Sequence, residues 1–480
     1  MIQGLYLITP QGSDAHVLSI VREGLRGGVQ VVQYRDKERS PEGQVSLARQ
    51  LVQLCKEAGV TFLVNDSPEL AVACFADGVH LGQEDGSVHD ARRLLGPNKL
   101  IGVSTRTVDQ ALKAQMAGAD YIGLGSIFPT NTKGDSELVG LEALRKVRRA
   151  VKIPLVAIGG IGWTNGAEAL EAGADSLAVV SAIADDPSPA LAARELSLLF
   201  NRKRSSGAAR VMTIAGSDSS GGAGIQADLK TIALLGSYGT SAITVLTAQN
   251  TLGVRGISPA ATSFLIKQAE TTLDDIGADT LKTGMLYNAE NVTAVAGLIQ
   301  KYNLLSVVDP VMIAKGGTAL LKQDAVVALQ RDLLPCTYLL TPNIPEAEVL
   351  TGQTIRTLEE MEDAARKLQA MGPRHVLLKG GHREKDAIDI LLAGKTVHKL
   401  AAERIDTTNT HGTGCSYSAV LATLLAQGQS LMKAAELAKL FINAAIRHAL
   451  PLGGGHGPIN HVAGAKAVRD SERRMRDEQI

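Results

Sequence analysis

The feature that most constrains the fold is a recurring unit. Through residues 1–200 a short apolar strand runs into polar or glycine residues, and a helical segment follows. The unit recurs about eight times at roughly 25-residue spacing, the signature of a closed βα barrel. The strands read "GLYLIT" from Gly4, "VQVVQYR" from Val29, "TFLVND" from Thr61 and "GVHLG" from Gly78. They continue as "LIGVS" from Leu100, "YIGLG" from Tyr121, "PLVAIGG" from Pro154 and "SLAVVS" from Ser176. The pattern predicts a (β/α)8 barrel of the TIM type.

Near residue 200 the pattern breaks. "NRKRSSGAAR" (201–210) is basic, small and polar, without periodicity, and reads as a solvated linker. Strand, glycine loop and helix then restart in "RVMTIAGSDSSGGAGIQADLKTIALLG". About six parallel candidates follow, with a hairpin around Gly394-Lys395, so residues 211–463 predict an open, doubly wound α/β sheet. The charged stretch 464–480 reads as a frayed tail. A chain of 480 residues exceeds one ordinary domain, in keeping with two.

Lys plus Arg and Asp plus Glu balance at 49 each, which gives no argument for nucleic acid or a membrane surface. Aromatics are 3%, against a base-stacking platform. The four cysteines form no Cys-x-x-Cys pair, no stretch is long and apolar enough for a membrane span, and no leader is visible. The expectation is a cytoplasmic enzyme of small molecules, with homo-oligomerisation open.

Barrel chemistry belongs at the C-terminal strand ends. Gln33, Arg35 and Lys37 alternate after strand two and are expected to share a face. Asn65 and Asp66 end strand three, Asp85 follows strand four, and Ser104 ends strand five. Thr130, Thr132 and Lys133 follow strand six, Gly159-Gly160 strand seven and Val180-Ser181 strand eight. Asp66 and Asp85, at neighbouring strand ends, suit Mg²⁺, which takes few protein ligands beside substrate phosphate. Arg35, Lys37 and Lys133 would neutralise that phosphate, and the turns after strands seven and eight suit a second anion. His80 reads equally as a hydrogen-bonded core residue.

Together "QYRDK", "VND", "HLGQED", "GVSTRT", "GSIFPTNTK" and "IGGI" resemble the thiamine phosphate synthases. The resemblance implies joining of a hydroxymethylpyrimidine diphosphate to a thiazole phosphate, by departure of the diphosphate and capture of the resulting cation. It places Gln33, Tyr34, Arg35, Asp36, Lys37, Asn65, Ser104 and Lys133 on the pyrimidine diphosphate. Thr130, Asn131, Thr132, Gly160, Val180 and Ser181 would bind the thiazole phosphate. Lys37 and Lys133 are the expected catalytic cations.

In the second half, "AGSDSSGGAGIQADLKT", "AQNT", "KTGML", "TPNIPEAE", "LKGGH" and "NTHGTGC" resemble the hydroxymethylpyrimidine and hydroxymethylpyrimidine-phosphate kinases of the ribokinase-like superfamily. That implies ATP, with Mg²⁺, as phosphoryl donor. Asp228, Gln249 and Met285 would meet the pyrimidine, and Lys379, Gly412, Thr413 and Gly414 the phosphates. Asp309 and Glu346 would organise Mg²⁺-ATP, with Glu346 equally readable as a helix cap. Ser219 replaces a proline common in the family and touches no expected ligand. Cys415 takes the place of a more usual aspartate base. A helix start would lower its pKa toward a thiolate base; a neutral thiol would spare a phosphorylated substrate from repulsion; or it simply packs. Two rivals are a pyridoxal-type kinase joined to a thiazole tautomerase-like barrel, and a non-catalytic precursor sensor.

Overall fold

In the computed structural model, residues 2–130, 137–203, 208–312, 323–381, 383 and 387–477 are described. The chain divides into two compact units, residues 1–200 and 201–480.

The first unit is a closed barrel of eight parallel strands in chain order. They are β1 Gly4–Ile8, β2 Val31–Tyr34, β3 Thr61–Asn65, β4 Gly78–Leu81, β5 Leu100–Thr105, β6 Tyr121–Leu124, β7 Leu155–Ile158 and β8 Ser176–Val179. β1 pairs with both β2 and β8, with Tyr6 opposite Val31 on one side and Ala178 on the other. Strand alternation splits the apolar residues into two layers. Tyr6, Val31, Leu63, Tyr121, Val156 and Ala178 fill the interior. Leu5, Leu7, Val32, Tyr34, Phe62 and Val64 pack outward beneath the helices. Local chemistry sets the helix starts: Ser13, Ser40, Ser67, Ser87 and Thr107 each accept a first-turn N–H, a cap that contributes about 1 kcal/mol.

The second unit is a nine-stranded sheet. Its strands are β9 Arg210–Asp218, β10 Tyr238–Asn250, β11 Gly253–Pro259, β12 Thr280–Thr283, β13 Leu305–Val308, β14 Leu339–Leu340, β15 His375–Leu378, β16 Asp389–Ala393 and β17 Thr396–Leu400. The order β11-β10-β9-β12-β13-β14-β15-β16-β17 carries six parallel strands and the expected β16–β17 hairpin. β11, antiparallel to β10 and largely exposed, was not expected. The order reverses direction at β9, so the crevice beyond the ends of β9 and β12 is where an open α/β sheet binds ligands.

Two boundary expectations are corrected. Residues 464–477 are not a frayed tail: residues 461–477 form a helix that buries Ala465 and Val468. Lys466 and Arg469 are exposed beside buried Ala465 and Val468, so charge content alone misled. The linker is also shorter than residues 201–210. Asn201 belongs to the second unit, where its amide donates to Ala426 O at 2.7 Å, and β9 starts at Arg210.

Candidate active sites

In the barrel, Gln33, Asn65 and Ser104 converge at the C-terminal mouth. Gln33 is nearly buried and donates to Asn65 Oδ1 at 3.1 Å. Ser104 Oγ lies 2.9 Å from His80 Nε2, and His80 Nδ1 lies 2.9 Å from the Tyr121 hydroxyl. The shared face expected for Gln33, Arg35 and Lys37 does not extend that far. β2 ends at Tyr34, and the Asp36 carboxylate turns the chain by accepting from Glu38 N and Arg39 N. Strand alternation therefore stops before Arg35, and Lys37 is exposed on the loop. Tyr34 and Asp36 depart from their expected ligand role. Tyr34 is buried in the strand–helix layer, and Asp36 pairs with Arg39, which also reaches Asp14 at 2.8 Å. This clamp ties the loops after β1 and β2 together.

Asp66 follows β3 with φ 68°, a backbone setting that aspartate tolerates better than most residues, and its N–H donates to His80 O at 2.8 Å. Asp85 is exposed after β4, and its Oδ2 accepts from Gly82 N at 2.7 Å. Both offer hard oxygen donors at adjacent strand ends, a chemistry that fits Mg²⁺. Among the described residues no group of three or more His, Cys, Asp or Glu could hold a metal. Thr130 is half-buried; Asn131, Thr132 and Lys133 lie outside the described residues.

Gly160 does more than end a strand. It has φ 63°, and a Cβ there would sit 2.3 Å from Pro129 O, so this turn packs directly on the loop after β6. Sequence reading missed its organiser. Asn165 donates to Gly160 O and accepts from Gly162 N, both at 2.9 Å, holding the turn from inside. Val180 and Ser181 begin a single-turn helix after β8.

In the second unit two glycine turns nest. Asp218 at the end of β9 accepts from Ser220 N, Ser220 Oγ and Ala223 N, and lies 2.9 Å from His411 Nε2. Burial works against its charge, but His411 and these donors hold the carboxyl at about 2. Gly412 has φ 82°, and a Cβ there would lie 1.8 Å from Gly222 O. It opens the helix Thr413–Ala426 without a side-chain cap, leaving first-turn N–H groups available to an anion. Gly414 sits above an ion pair in which Lys379 Nζ donates to Asp309 Oδ1 at 2.8 Å.

Glu346 forms a reciprocal capping box with Asn343. Burial raises its carboxyl to about 7, with Lys379 opposing and Asp309 adding to the rise.

Cys415 overturns the thiolate expectation. Burial pushes its thiol up to about 11, ahead of the opposing pull of Lys282. At neutral pH it is a thiol. Lys282, also missed, is fully buried and donates to Asp228 at 2.9 Å. A lysine inside the apolar strand "TLKT" was the available signal. Asp228, expected to meet the pyrimidine, is fully buried as the ion-pair partner of Lys282 and also accepts from Thr213. Met285 is buried, and a Cβ on Gly216 would lie 3.4 Å from its sulfur.

Gln249 is half-buried, with its amide 3.4 Å from His411 Nε2. Ser219 was expected to touch no expected ligand, yet its hydroxyl accepts from Gln249 N at 2.8 Å and donates to Gln249 O at 2.9 Å.

Comparison with known proteins matches both halves. A family model for thiamine monophosphate synthase covers residues 5–183, and one for phosphomethylpyrimidine kinase covers residues 218–460. The bifunctional thiamine biosynthesis protein ThiED of Geobacter sulfurreducens is 51% identical over 98% of this chain and 96% of its own. The chain belongs to the ThiED family. Its units are a thiamine phosphate synthase and a hydroxymethylpyrimidine/phosphomethylpyrimidine kinase, both transferases. A longer multifunctional ThiED of Corynebacterium efficiens is 41% identical over 96% of this chain and 64% of its own. The hydroxymethylpyrimidine/phosphomethylpyrimidine kinase of Bacillus subtilis is 47% identical over 53% of this chain and 95% of its own. A crystal structure of Bacillus subtilis pyridoxal kinase, 39% identical, superposes with a TM-score of 0.50 over 53% of this chain and 98% of its own. That likeness reflects the ribokinase-like fold; the near full-length ThiED relative disfavours the pyridoxal kinase–tautomerase reading. No helix among the described residues is long and apolar enough to cross a membrane.

Proposed function

We propose that the kinase unit uses Mg²⁺-ATP to phosphorylate hydroxymethylpyrimidine twice, and that the barrel consumes the resulting diphosphate. The observation carrying this reading is the uncapped helix start at Gly412, with a neutral thiol and the Asp309–Lys379 pair beside it. Its open N–H groups suit the transferring phosphoryl group. Each transfer forms a bond from the substrate oxygen to the γ-phosphorus and breaks the bond to ADP. In the first transfer the hydroxyl proton passes to a phosphoryl oxygen or to solvent as the bond forms, since a neutral Cys415 cannot accept it. A neutral Cys415 lets the once-phosphorylated substrate approach without the repulsion a carboxylate would impose. Gln249 reads the pyrimidine edge, and Lys379 steadies phosphate oxygens.

In the barrel, Gln33, Asn65 and Ser104 orient the pyrimidine diphosphate, while Arg35, Lys37 and Lys133 neutralise it. Gly160, Val180 and Ser181 receive the thiazole phosphate together with Thr130, Asn131 and Thr132. Asp66 and Asp85 would hold Mg²⁺, which, when bound, stabilises charge on the leaving diphosphate. Cleavage of the carbon–oxygen bond releases pyrophosphate, and the thiazole nitrogen forms the new carbon–nitrogen bond. All four cysteines are free, which supports a reducing, cytoplasmic setting.

The test is a single reaction of hydroxymethylpyrimidine, thiazole phosphate, ATP and Mg²⁺ with the intact chain. Thiamine phosphate with two ADP per product is expected. Failure to form the diphosphate would remove the kinase reading; diphosphate without thiamine phosphate would remove the synthase reading.

A further inference from the structure

The barrel interior carries a chain of hydrogen bonds that none of the proposed ligand contacts requires. It runs from Tyr6 on β1 to Tyr121 on β6, across His80 on β4, to Ser104 near the end of β5. The steps are 3.1 Å between the two phenols, 2.9 Å from Tyr121 to His80 Nδ1, and 2.9 Å from His80 Nε2 to Ser104 Oγ. The barrel is shaped around it. A Cβ on Gly102 would lie 2.0 Å from the Tyr121 ring, and one on Gly123 would lie 3.1 Å from the His80 ring.

Hydrogen-bond bookkeeping gives the chain a direction. Tyr6 is buried among Ile2, Ile8, Val31, Leu63 and Val156, and among the described residues its hydroxyl meets only Tyr121. Each phenol has one proton to donate. If Tyr121 donated to Tyr6, the Tyr6 proton would be orphaned. If His80 Nδ1 carried a proton and donated to Tyr121, one phenolic proton would again be orphaned. An unmet buried donor costs about 1–3 kcal/mol. Full satisfaction requires Tyr6 to donate to Tyr121, and Tyr121 to donate to Nδ1. The neutral imidazole then carries its proton on Nε2 and donates to Ser104. The Ser104 proton is left to point into the mouth.

We infer that Tyr121 sets the tautomer of His80, and that Tyr121 and His80 are positioning residues that make Ser104 a hydrogen-bond donor to the pyrimidine diphosphate. The ligand atom opposite Ser104 is then an acceptor, a phosphate oxygen or a ring nitrogen, and not the exocyclic amine. This rests on the reading of Ser104 as a ligand contact, and the two parts are tested separately.

The tautomer is read in the free full-length chain from ¹⁵N-labelled imidazole signals at neutral pH, with His80 assigned by the signals lost in His80→Gln. Protonated Nε2 and bare Nδ1 are expected; protonated Nδ1 or an imidazolium overturns the inference whatever the ligand. Kinetics tests the consequence. Tyr121→Phe frees Nδ1 and should raise the synthase KM for the pyrimidine diphosphate about fivefold, with a smaller change in kcat. Tyr6→Phe, which leaves Tyr121 with His80 as its one acceptor, should stay within about twofold. In a Ser104→Ala background Tyr121→Phe should add nothing. An unchanged KM in Tyr121→Phe, or an equal loss in both backgrounds, overturns the role of the lock. The expected tautomer with a Ser104→Ala enzyme of unaltered KM removes Ser104 as the contact and leaves the lock standing.

Discussion

Lys379 reaches across from the end of β15 to Asp309 at the end of β13, 2.8 Å away and nearly sealed from solvent. One ammonium thereby serves two acidic neighbours, since it also opposes the rise of the Glu346 carboxyl. Lys379→Met should lower both phosphorylations by at least about 10²-fold while the barrel reaction stays unchanged, because a buried carboxylate would lose its partner beside the phosphate site. Separate assays of the two reactions on one preparation check this; an equal loss in both would mean misfolding.

Glu346 gives the kinase unit a pH dependence with a definite sign. Its carboxyl rises from 4.5 to about 7 on folding, so the folded state holds the extra proton. Its contribution to stability is full below about pH 4.5 and is lost as pH rises through about 7. Asp218, lowered to about 2, acts oppositely: its contribution is present above 3.8 and is lost as pH falls through about 2. Glu346→Gln keeps the cap and removes the charge. Thermal unfolding of the kinase unit should then decline less between pH 5 and pH 7, and an identical slope in both proteins would contradict the assignment.

Cys415 should behave as a neutral, half-buried thiol. Cys415→Asp, which puts a carboxylate where the thiol is neutral, is expected to slow the second phosphorylation more than the first, with ATP binding nearly intact. Alkylation by iodoacetamide, followed on the Cys415 peptide, should be slow at neutral pH and rise about tenfold per pH unit until it levels off near pH 11. Rapid modification at neutral pH would restore the thiolate picture, and equal slowing of both phosphorylations would remove the repulsion argument.

Ser219 holds Gln249 by both backbone groups. Ser219→Ala should raise the kinase KM for hydroxymethylpyrimidine about fivefold and leave kcat within about twofold, since each lost bond contributes about 0.5–1.5 kcal/mol. No change in KM would mean that Gln249 is fixed by other contacts.

Asp85→Asn should abolish the synthase and spare the kinase. The amide oxygen can still accept from Gly82 N, so the turn survives while a charged donor is lost. Undiminished thiamine phosphate formation would take Asp85 out of the metal site.

Both architectures were legible because strand–helix periodicity is set by burial, which composition records locally. The hairpin at Gly394 was legible for the same reason. β11 was not: its residues are mostly exposed, so no apolar alternation marks it. The terminal helix 461–477 hid behind its charges. At the sites, residue types were readable but directions were not. Tyr34 and Asp36 stand in the same short motif as Gln33, yet alternation turns Tyr34 outward and the strand end releases Asp36 into a clamp with Arg39. The pKa of Cys415 is set first by burial and then by Lys282, Asp228 and Asp309, all supplied by residues far away in the chain, and no local rule foretells their sum.

The nested turns at Gly222 and Gly412 also limit how this catalyst can be altered. Backbone meets backbone there across 190 positions of sequence, and neither site has room for even one added carbon: it would strike Gly222 O in one case and the His411 ring in the other. Laboratory evolution toward a bulkier alcohol therefore has no stepwise route through these two positions. Variation must enter from the flanks, at Ser219, Gln249 or Met285, where side chains can shrink or swing without moving the phosphate cradle.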